Sequence, residues 1–144
     1  MNKKAFITGI NGQDGALLAD YFLKKGHKVV GTFRRGTQPK FWRLEELKIL
    51  NEIKCIGLDL SDSITLLKLL DEYNPSEIYH LAGSFSNDFK IDLESNLITT
   101  KNILESVYKS TKKSRILLIG SSAEYGSIKE GDSPISELHP LSPT

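Results

Sequence analysis

Two hydrophobic patterns alternate along the chain. Short runs rich in apolar and β-branched residues predict five strands, at Ala5–Thr8, Lys28–Phe33, Ile53–Leu58, Glu77–Leu81 and Arg115–Ile119. Each run has the length of a strand that is buried on both faces. Between these runs lie longer stretches in which apolar residues recur every three or four positions, and that spacing predicts helices.

Residues that favour helix ends predict where these helices begin and stop. The first helix ends at Gly26, because glycine is favoured just after the last helical turn. A later helix starts at Ser61 or Asp62, both good capping residues, and stops before Pro75. A short helix is predicted around Trp42–Leu50 and a long one over Leu93–Lys109.

The alternation of strands and helices predicts the fold class. Successive β-α-β units build a parallel sheet with helices on both faces. We therefore predict an α/β fold, a doubly wound parallel sheet in three αβα layers. The last segment, Ser121–Thr144, contains three of the five prolines and has no helical spacing, so we predict a loop there.

The composition excludes several classes of binding partner and of structural site. The 144 residues suit one domain, and a net charge of +1 gives no field that would attract nucleic acid or an anionic membrane. Cys55 is the single cysteine, which excludes an intrachain disulfide and any metal site built from several cysteines. No apolar run approaches the roughly 20 residues of a membrane span. We expect a cytoplasmic protein without a metal.

Three glycines follow the first predicted strand and lead into the first helix. In this context one glycine allows a tight turn, one lets the backbone approach a pyrophosphate, and one lets helix and strand pack closely. The helix N-terminus then offers N–H groups and a positive dipole to the phosphates. The alternative is a glycine-rich turn without a ligand. The residues predicted to bind a dinucleotide here are Gly9, Asn11, Gly12, Gln13, Asp14 and Gly15.

The glycine segment resembles a known superfamily. Its spacing, TGxxGxxG, resembles that of the short-chain dehydrogenases/reductases, and TGINGQDG is similar to the TGITGQDG of the GDP-mannose 4,6-dehydratases. Arg34-Arg35 and Trp42-Arg43-Leu44 are also similar to that family. The resemblance implies a Rossmann-like dinucleotide-binding domain over residues 1–144.

The end of the second predicted strand indicates which dinucleotide is bound. An acidic residue in this region accepts the ribose hydroxyls of NAD, whereas an arginine accommodates the 2′-phosphate of NADP. Here the second predicted strand leads into Arg34 and Arg35 with no carboxylate, and guanidinium groups pair well with phosphate. We predict NADP, with Arg34 as the main contact; the alternative is a solvated basic turn.

Two further strand ends fit a cofactor cleft, because ligands bind outside the carboxyl ends of parallel strands. Asp59-Leu60 follows the third strand and resembles the family's Asp-Leu pair beside the adenine. Small residues follow the fourth strand, where they let the backbone approach the cofactor: Leu81, Ala82, Gly83 and Ser84. We interpret the neighbouring His80 as a packed, hydrogen-bonded histidine and not as a catalytic group.

The fifth predicted strand runs into Ser121-Ser122-Ala123-Glu124-Tyr125-Gly126, which resembles the catalytic segment of enzymes that act on nucleotide sugars. The resemblance implies that the Ser121 hydroxyl, with Ser122 beside it, hydrogen-bonds the reacting sugar oxygen. Gapless alignment puts Ala123 where the 4,6-dehydratases carry the glutamate that removes the C5 proton. Glu124 lies one position later and is the candidate base if the turn is one residue shorter.

The resemblance also implies a catalytic Tyr-x-x-x-Lys about two dozen residues after the serine, and the sequence stops at Thr144 before it. We therefore expect a domain truncated before that motif and before the substrate domain, and inactive alone. The expected full-length activity is NADP-dependent dehydration of GDP-mannose. The alternatives are a GDP-4-keto-6-deoxymannose reductase, a nucleotide-sugar epimerase, a non-catalytic dinucleotide-binding module, or a scaffold without ligand. By analogy, the helix over Leu93–Lys109 suggests a homodimer.

Overall fold

The computed structural model describes residues 3–36, 38–86, 88–129, 131 and 133–143. Five parallel strands form one sheet in the order β3-β2-β1-β4-β5. The strands are β1 (Lys4–Thr8), β2 (Lys28–Arg34), β3 (Lys54–Leu58), β4 (Glu77–His80) and β5 (Arg115–Leu118). All five predicted strands are confirmed, with ends that differ by one residue at most.

Helices connect successive strands. They are α1 (Gln13–Lys24), α2 (Trp42–Glu46), α3 (Ser63–Tyr73), α4 (Phe89–Asp92) and α5 (Thr99–Lys109). A π-helical segment, Leu93–Ile98, joins α4 to α5, and 3₁₀ turns lie at Leu50–Glu52 and Ser122–Tyr125.

The predicted helix ends are confirmed where one residue of a type that favours helix ends was the basis of the prediction. Gly26 adopts φ +76° just after α1, a conformation that residues with a Cβ avoid. Asp62 is the N-cap of α3, and its carboxylate accepts a hydrogen bond from the Thr65 amide at 3.0 Å. The same helix ends at Asn74, which is left-handed at φ +46°.

Two helix predictions were inaccurate in their extent. The predicted helix at Trp42–Leu50 ends at Glu46, because Lys48 adopts φ +59° and turns the chain. The long predicted helix begins earlier, at Phe89, and its first turns include the wider π-helical segment. Within Ser121–Thr144, the predicted loop contains one short helical turn at Ser122–Tyr125.

Two apolar layers cover the sheet and confirm the predicted three-layer fold. Alternate residues of β1 point to opposite faces, as the pleat requires. Ala5 and Ile7 pack with Phe22 of α1 and Leu44 of α2. On the other face Phe6 packs against α3 and α5, in a cluster that comprises Val30, Leu58, Leu66, Leu70, Ile78 and Ile103.

The edge strand β5 departs from the prediction that every strand is buried on both faces. Leu117 is 49% exposed and Leu118 is 36% exposed, and Ile119 just beyond the strand is 60% exposed. The apolar run is a strand, as predicted, but the elements around β5 cover its side chains only in part. No helix in the described ranges has both the length and the apolarity to cross a bilayer.

Candidate functional site

The predicted site residues gather at one edge of the sheet, the edge formed by the carboxyl ends of its parallel strands. Each residue lies at such an end or just after it. The chain leaves β1 toward β2 and β3 on one side and returns to β4 and β5 on the other, so the order reverses between β1 and β4. The helices that follow these two strands, α1 and α5, lie on opposite faces of the sheet, and the crevice at such a switch point is the usual ligand position in open α/β sheets.

Close packing around the loop after β1 requires two of the three glycines. Gly9 adopts φ +72°, and a Cβ there would lie 3.1 Å from the Ala82 amide nitrogen. A Cβ on Gly15 would overlap the Gly9 carbonyl oxygen and lie 2.9 Å from the Ile10 Cα. The loop after β1 therefore touches the loop after β4 and also the start of α1.

The third glycine leaves the N-terminus of α1 open. Gly12 is the N-cap and has no side chain to cap the helix, whereas Asp62 caps α3. A Cβ on Gly12 would meet only the Gly9 carbonyl oxygen, at 3.1 Å. The N–H groups of the first turn thus face a space that a phosphate group could enter, and the residues present fit a pyrophosphate.

Polar residues surround this open helix end. Gln13 and Asp14 are exposed in the first turn of α1, and Asn11 is half-buried in the loop. Arg43 of α2 donates from Nη1 to the Asn11 carbonyl oxygen at 3.3 Å. The same guanidinium packs over the Trp42 ring at 4.3 Å, so α2 helps to fix the glycine loop.

The ends of β2 and β3 lie side by side. Arg34 is the last residue of β2 and pairs in register with Leu58, and Arg35 follows in an exposed turn. Hydrogen bonds from Thr65 lower the pKa of Asp62, and the positive charge of Arg35 lowers it further. Arg34 and Arg35 thus lie at the carboxyl end of β2, beside the end of β3.

The Asp59-Leu60 segment is held from two sides. Asp59 accepts a hydrogen bond from the Ser61 amide at 2.9 Å, which closes a tight turn after β3. Asn102 of α5 donates from Nδ2 to the carbonyl oxygens of Leu60 and Ser61, at 3.0 and 3.2 Å.

Thr8 and His80 join the ends of β1 and β4. The fully buried Thr8 hydroxyl accepts hydrogen bonds from the amides of Leu81 and Ala82, both at 3.1 Å. Because those two donors occupy its lone pairs, the hydroxyl donates to His80 Nδ1, 2.8 Å away. His80 is therefore neutral with its proton on Nε2, and burial lowers its pKa. This contact agrees with the reading of His80 as a hydrogen-bonded histidine.

Asn96, in the π-helical segment, holds the loop after β4. Its Oδ1 accepts from the Ser84 amide at 3.0 Å, and its Nδ2 donates to the Ser84 carbonyl oxygen at 2.8 Å. A Cβ on Gly83 would lie 2.9 Å from the same Oδ1. Two residues further on, the Ser86 amide donates to the Asp92 carboxylate at 2.8 Å.

The predicted catalytic residues lie one strand beyond this loop, after β5. Ser121, Ser122 and Glu124 are all exposed, and the Ser121 hydroxyl accepts from the Ala123 amide at 3.2 Å. The Glu124 carboxylate lies beside Gly120, since a Cβ built there would be 3.8 Å from Oε2. In a 3₁₀ turn successive side chains differ by about 120°, so Glu124 does not point where Ala123 points.

Four residues of this edge escaped the sequence analysis as site residues: Thr8, Arg43, Asn96 and Asn102. The sequence analysis identified Thr8 only as the first residue of the TGxxGxxG motif. The two asparagines carry no sequence signal beyond being polar residues in a helix.

Among the described residues, no group of three potential metal-ligating side chains comes together.

The fold and the crevice define a class: a Rossmann-type α/β domain with a glycine-rich loop at its switch point. A solved structure of the enzyme WbmH from Bordetella bronchiseptica, in complex with NAD+, superposes on 99% of this chain and 47% of its own, with a TM-score of 0.82 and 27% identity.

The sequence comparisons define the family. The model of the family described as GDP-mannose 4,6 dehydratase matches residues 6–144, so the chain belongs to that family. GDP-mannose 4,6 dehydratase 2 of Caenorhabditis elegans is 36% identical in an alignment 155 positions long, gaps included, which covers 98% of this chain and 40% of the relative. GDP-mannose 4,6-dehydratase of Vibrio cholerae is 37% identical in an alignment 158 positions long, which covers 99% of this chain and 41% of the relative. The chain spans about two fifths of the length of these relatives.

Proposed function

We propose that this chain binds NADP at the switch-point crevice and forms the cofactor-binding part of an enzyme that modifies a nucleotide sugar, first of all GDP-mannose. The observation that carries the proposal is the open N-terminus of α1 behind Gly12, in a chain of the GDP-mannose 4,6-dehydratase family. N–H groups at a helix N-terminus bind phosphate, and the close packing at Gly9 and Gly15 fixes them in place.

The order of strands along the edge supports one orientation for the dinucleotide. The edge runs from Asp59-Leu60 after β3 and Arg34 at the end of β2, past the glycine loop after β1, to Ser121 after β5. In this orientation the adenosine half lies at β2 and β3, the pyrophosphate at β1, and the nicotinamide toward β4 and β5. The Ser121 hydroxyl is then on the nicotinamide side, where it can hydrogen-bond the reacting sugar oxygen.

The preference for NADP is tested by titrating the chain with NADPH and NADH in a calorimeter. Arg34→Gln should weaken NADPH binding at least about tenfold and NADH binding much less, because a charge-assisted bond to the 2′-phosphate is lost. Arg115→Gln is the matched control, since it removes the same charge from the opposite end of the sheet. Tighter binding of NADH than of NADPH by the wild-type chain would contradict the choice of NADP.

The proposed full-length reaction is the dehydration of GDP-mannose. NADP bound at this crevice would supply the hydride acceptor and donor for such a reaction, in which the sugar would be oxidised at C4, would lose water across C5 and C6, and would be reduced at C6. The full-length enzyme should then form a 4-keto sugar from GDP-mannose without added NADPH. Homodimerisation through the helix over Leu93–Lys109 is part of the same proposal.

A second candidate, a 4-keto-6-deoxy-sugar reductase or an epimerase, is favoured by one observation. Ala123 has no proton-accepting group, and the Glu124 carboxylate lies beside Gly120 in a different direction. A general base must be within hydrogen-bond reach of the proton it removes. Consumption of NADPH with a GDP-4-keto-6-deoxy sugar, and no product from GDP-mannose, would favour the reductase.

A further inference from the structure

The amino ends of the strands form a second edge of the sheet, opposite to the candidate cofactor crevice, and a basic groove of about 450 Å³ lies there. Three lysines line it, one from each of three adjacent strands: Lys4 of β1, Lys28 of β2 and Lys54 of β3. Among the described residues of the lining, Glu52 is the single carboxylate. The groove therefore concentrates positive charge in a chain whose net charge is only +1.

The strand register brings the three lysines to one face of the sheet. Lys4 pairs in register with Lys28, so these two side chains stand beside each other. Val30 pairs with Lys54, and Val30 shares a face with Lys28 because it lies two residues further along β2. Like charges on paired positions destabilise a sheet. This arrangement therefore opposes folding unless a negative group neutralises it.

Tyr73, the last residue of α3, draws two of the ammonium groups together. Lys4 donates from Nζ to the Tyr73 carbonyl oxygen at 3.2 Å, and Lys54 Nζ lies 4.8 Å from the centroid of the Tyr73 ring. In the described part of the chain, none of the three lysines forms an ion pair with a carboxylate. The three charges are gathered, and no acidic side chain neutralises them.

A polar atom without a partner is a second sign of a ligand, independent of the lysines. His27 also lines the groove, and its ring stacks on Phe22 with centroids 4.9 Å apart. Its Nδ1 atom is buried, with no hydrogen-bond partner among the residues that the structure describes. Buried polar atoms of this kind are rare in folded proteins. The groove wall thus holds a hydrogen-bonding atom that the fold itself does not use.

We propose that the basic groove is a second anion site, which binds a short phosphate chain such as inorganic triphosphate or the triphosphate of a nucleotide. Lysine ammonium groups bind phosphate as point charges, and a phosphate chain brings several negative charges within a few ångströms. β1 is five residues long, so roughly 15 Å separates this groove from the crevice. The inference goes beyond the proposed function and needs no dinucleotide.

Calorimetric titration with sodium triphosphate tests the site on the wild-type chain and three variants. Lys28→Gln should weaken binding about tenfold, because a charge-assisted contact is lost. Glu52→Gln should tighten binding about threefold, because it removes a like charge from the groove wall. Lys68→Gln is the matched control, since Lys68 is exposed on α3 away from the described lining. At about 0.1 M salt, which screens charges more than about 10 Å apart, this control should bind as the wild type does.

Urea unfolding gives a readout that a merely structural lysine would not produce. Without the anion, Lys28→Gln should raise the unfolding midpoint slightly, because the repulsion from Lys4 is relieved. Triphosphate should raise the midpoint of the wild type and change that of Lys28→Gln much less. A lower midpoint for Lys28→Gln without the anion would show that Lys28 supports the fold, and would overturn the argument from repulsion.

NMR locates the anion, because triphosphate could also enter the open N-terminus of α1. Amide shifts should change at Lys4, Lys28 and Lys54, and saturating NADP+ should leave the triphosphate affinity unchanged. Equal affinity for ATP would show that the phosphate chain alone is recognised, and tighter binding of ATP would identify a nucleotide as its source.

Four results would overturn the second site: no binding by the wild type, equal binding by Lys28→Gln, shift changes confined to the glycine loop, or sulfate binding as tight as triphosphate binding, the mark of an adventitious ion only. Failure of the wild type to bind a dinucleotide would overturn the proposed function and leave this inference standing.

Discussion

The Thr8 hydroxyl is a single group that joins the ends of β1 and β4. Its removal directly tests whether this group holds the two strand ends together. Thr8→Val keeps the shape of the side chain and removes the hydroxyl. The amides of Leu81 and Ala82 and the Nδ1 atom of His80 then lose their shared partner. All three groups contact the Thr8 hydroxyl, and Thr8 is 0% exposed.

The expected cost follows from these contacts. A buried polar group left without a partner costs about 1–3 kcal/mol. Because Leu81 and Ala82 are only half-buried, water can reach part of the site, and we expect a total loss of about 2–4 kcal/mol. That is a large share of the roughly 5–15 kcal/mol that stabilises an ordinary domain.

Urea unfolding followed by circular dichroism measures this loss as a change in midpoint at constant slope. The control is Thr8→Ser, which keeps the hydroxyl and loses one methyl group, worth about 1 kcal/mol. Thr8→Val should therefore be less stable than Thr8→Ser by about 1–3 kcal/mol. Equal stability of the two variants would refute the claim that the hydroxyl holds the two strand ends together.

Three further predictions concern the same edge of the sheet. Gly15→Ala should destabilise the chain by about 1–3 kcal/mol in urea, because the new Cβ overlaps backbone of the glycine loop, whereas Gly57→Ala, with only ordinary contacts at 3.4 Å, should be neutral. Burial lowers the pKa of His80 from its ordinary 6.5, so below that pH the unfolded chain takes up a proton that the folded chain refuses. The free energy of unfolding should fall as the pH drops from 6.5 toward the folded pKa, and His80→Gln should remove that part of the slope. A Cβ on Gly126, at φ +67°, would overlap the Ser142 carbonyl oxygen, so Gly126→Ala should speed hydrogen exchange near Ser142 without a comparable loss of global stability.

Local signals in the sequence were sufficient for most of the fold. The strands were found because their apolar runs are short and the intervening helical spacing is regular. Asp62 and Gly26 located helix ends because each meets a need of the backbone itself, a partner for an unpaired amide or a positive φ. Such requirements act between residues that are close in the chain.

What could not be predicted depends on contacts between distant residues. Thr8 and His80 are 72 positions apart, and neither residue type indicates the hydrogen bond between them. The π-helical segment Leu93–Ile98 keeps an ordinary helical pattern of apolar residues, so the wider turn leaves no trace in the spacing. The exposure of β5 depends on which elements pack against its two faces, and the residues of its own run do not encode that.

The exposed border strand has a consequence for the behaviour of the chain in concentrated solution. Its outer row of backbone groups and its apolar side chains, Leu117 and Leu118, can pair with the same strand of another copy. The cations Lys112, Lys113 and Arg115 precede the run and act as gatekeepers, since stacked copies would bring like charges together. With a net charge of only +1, little other repulsion opposes association. We therefore expect added salt, which screens the gatekeepers, to promote aggregation of the isolated chain.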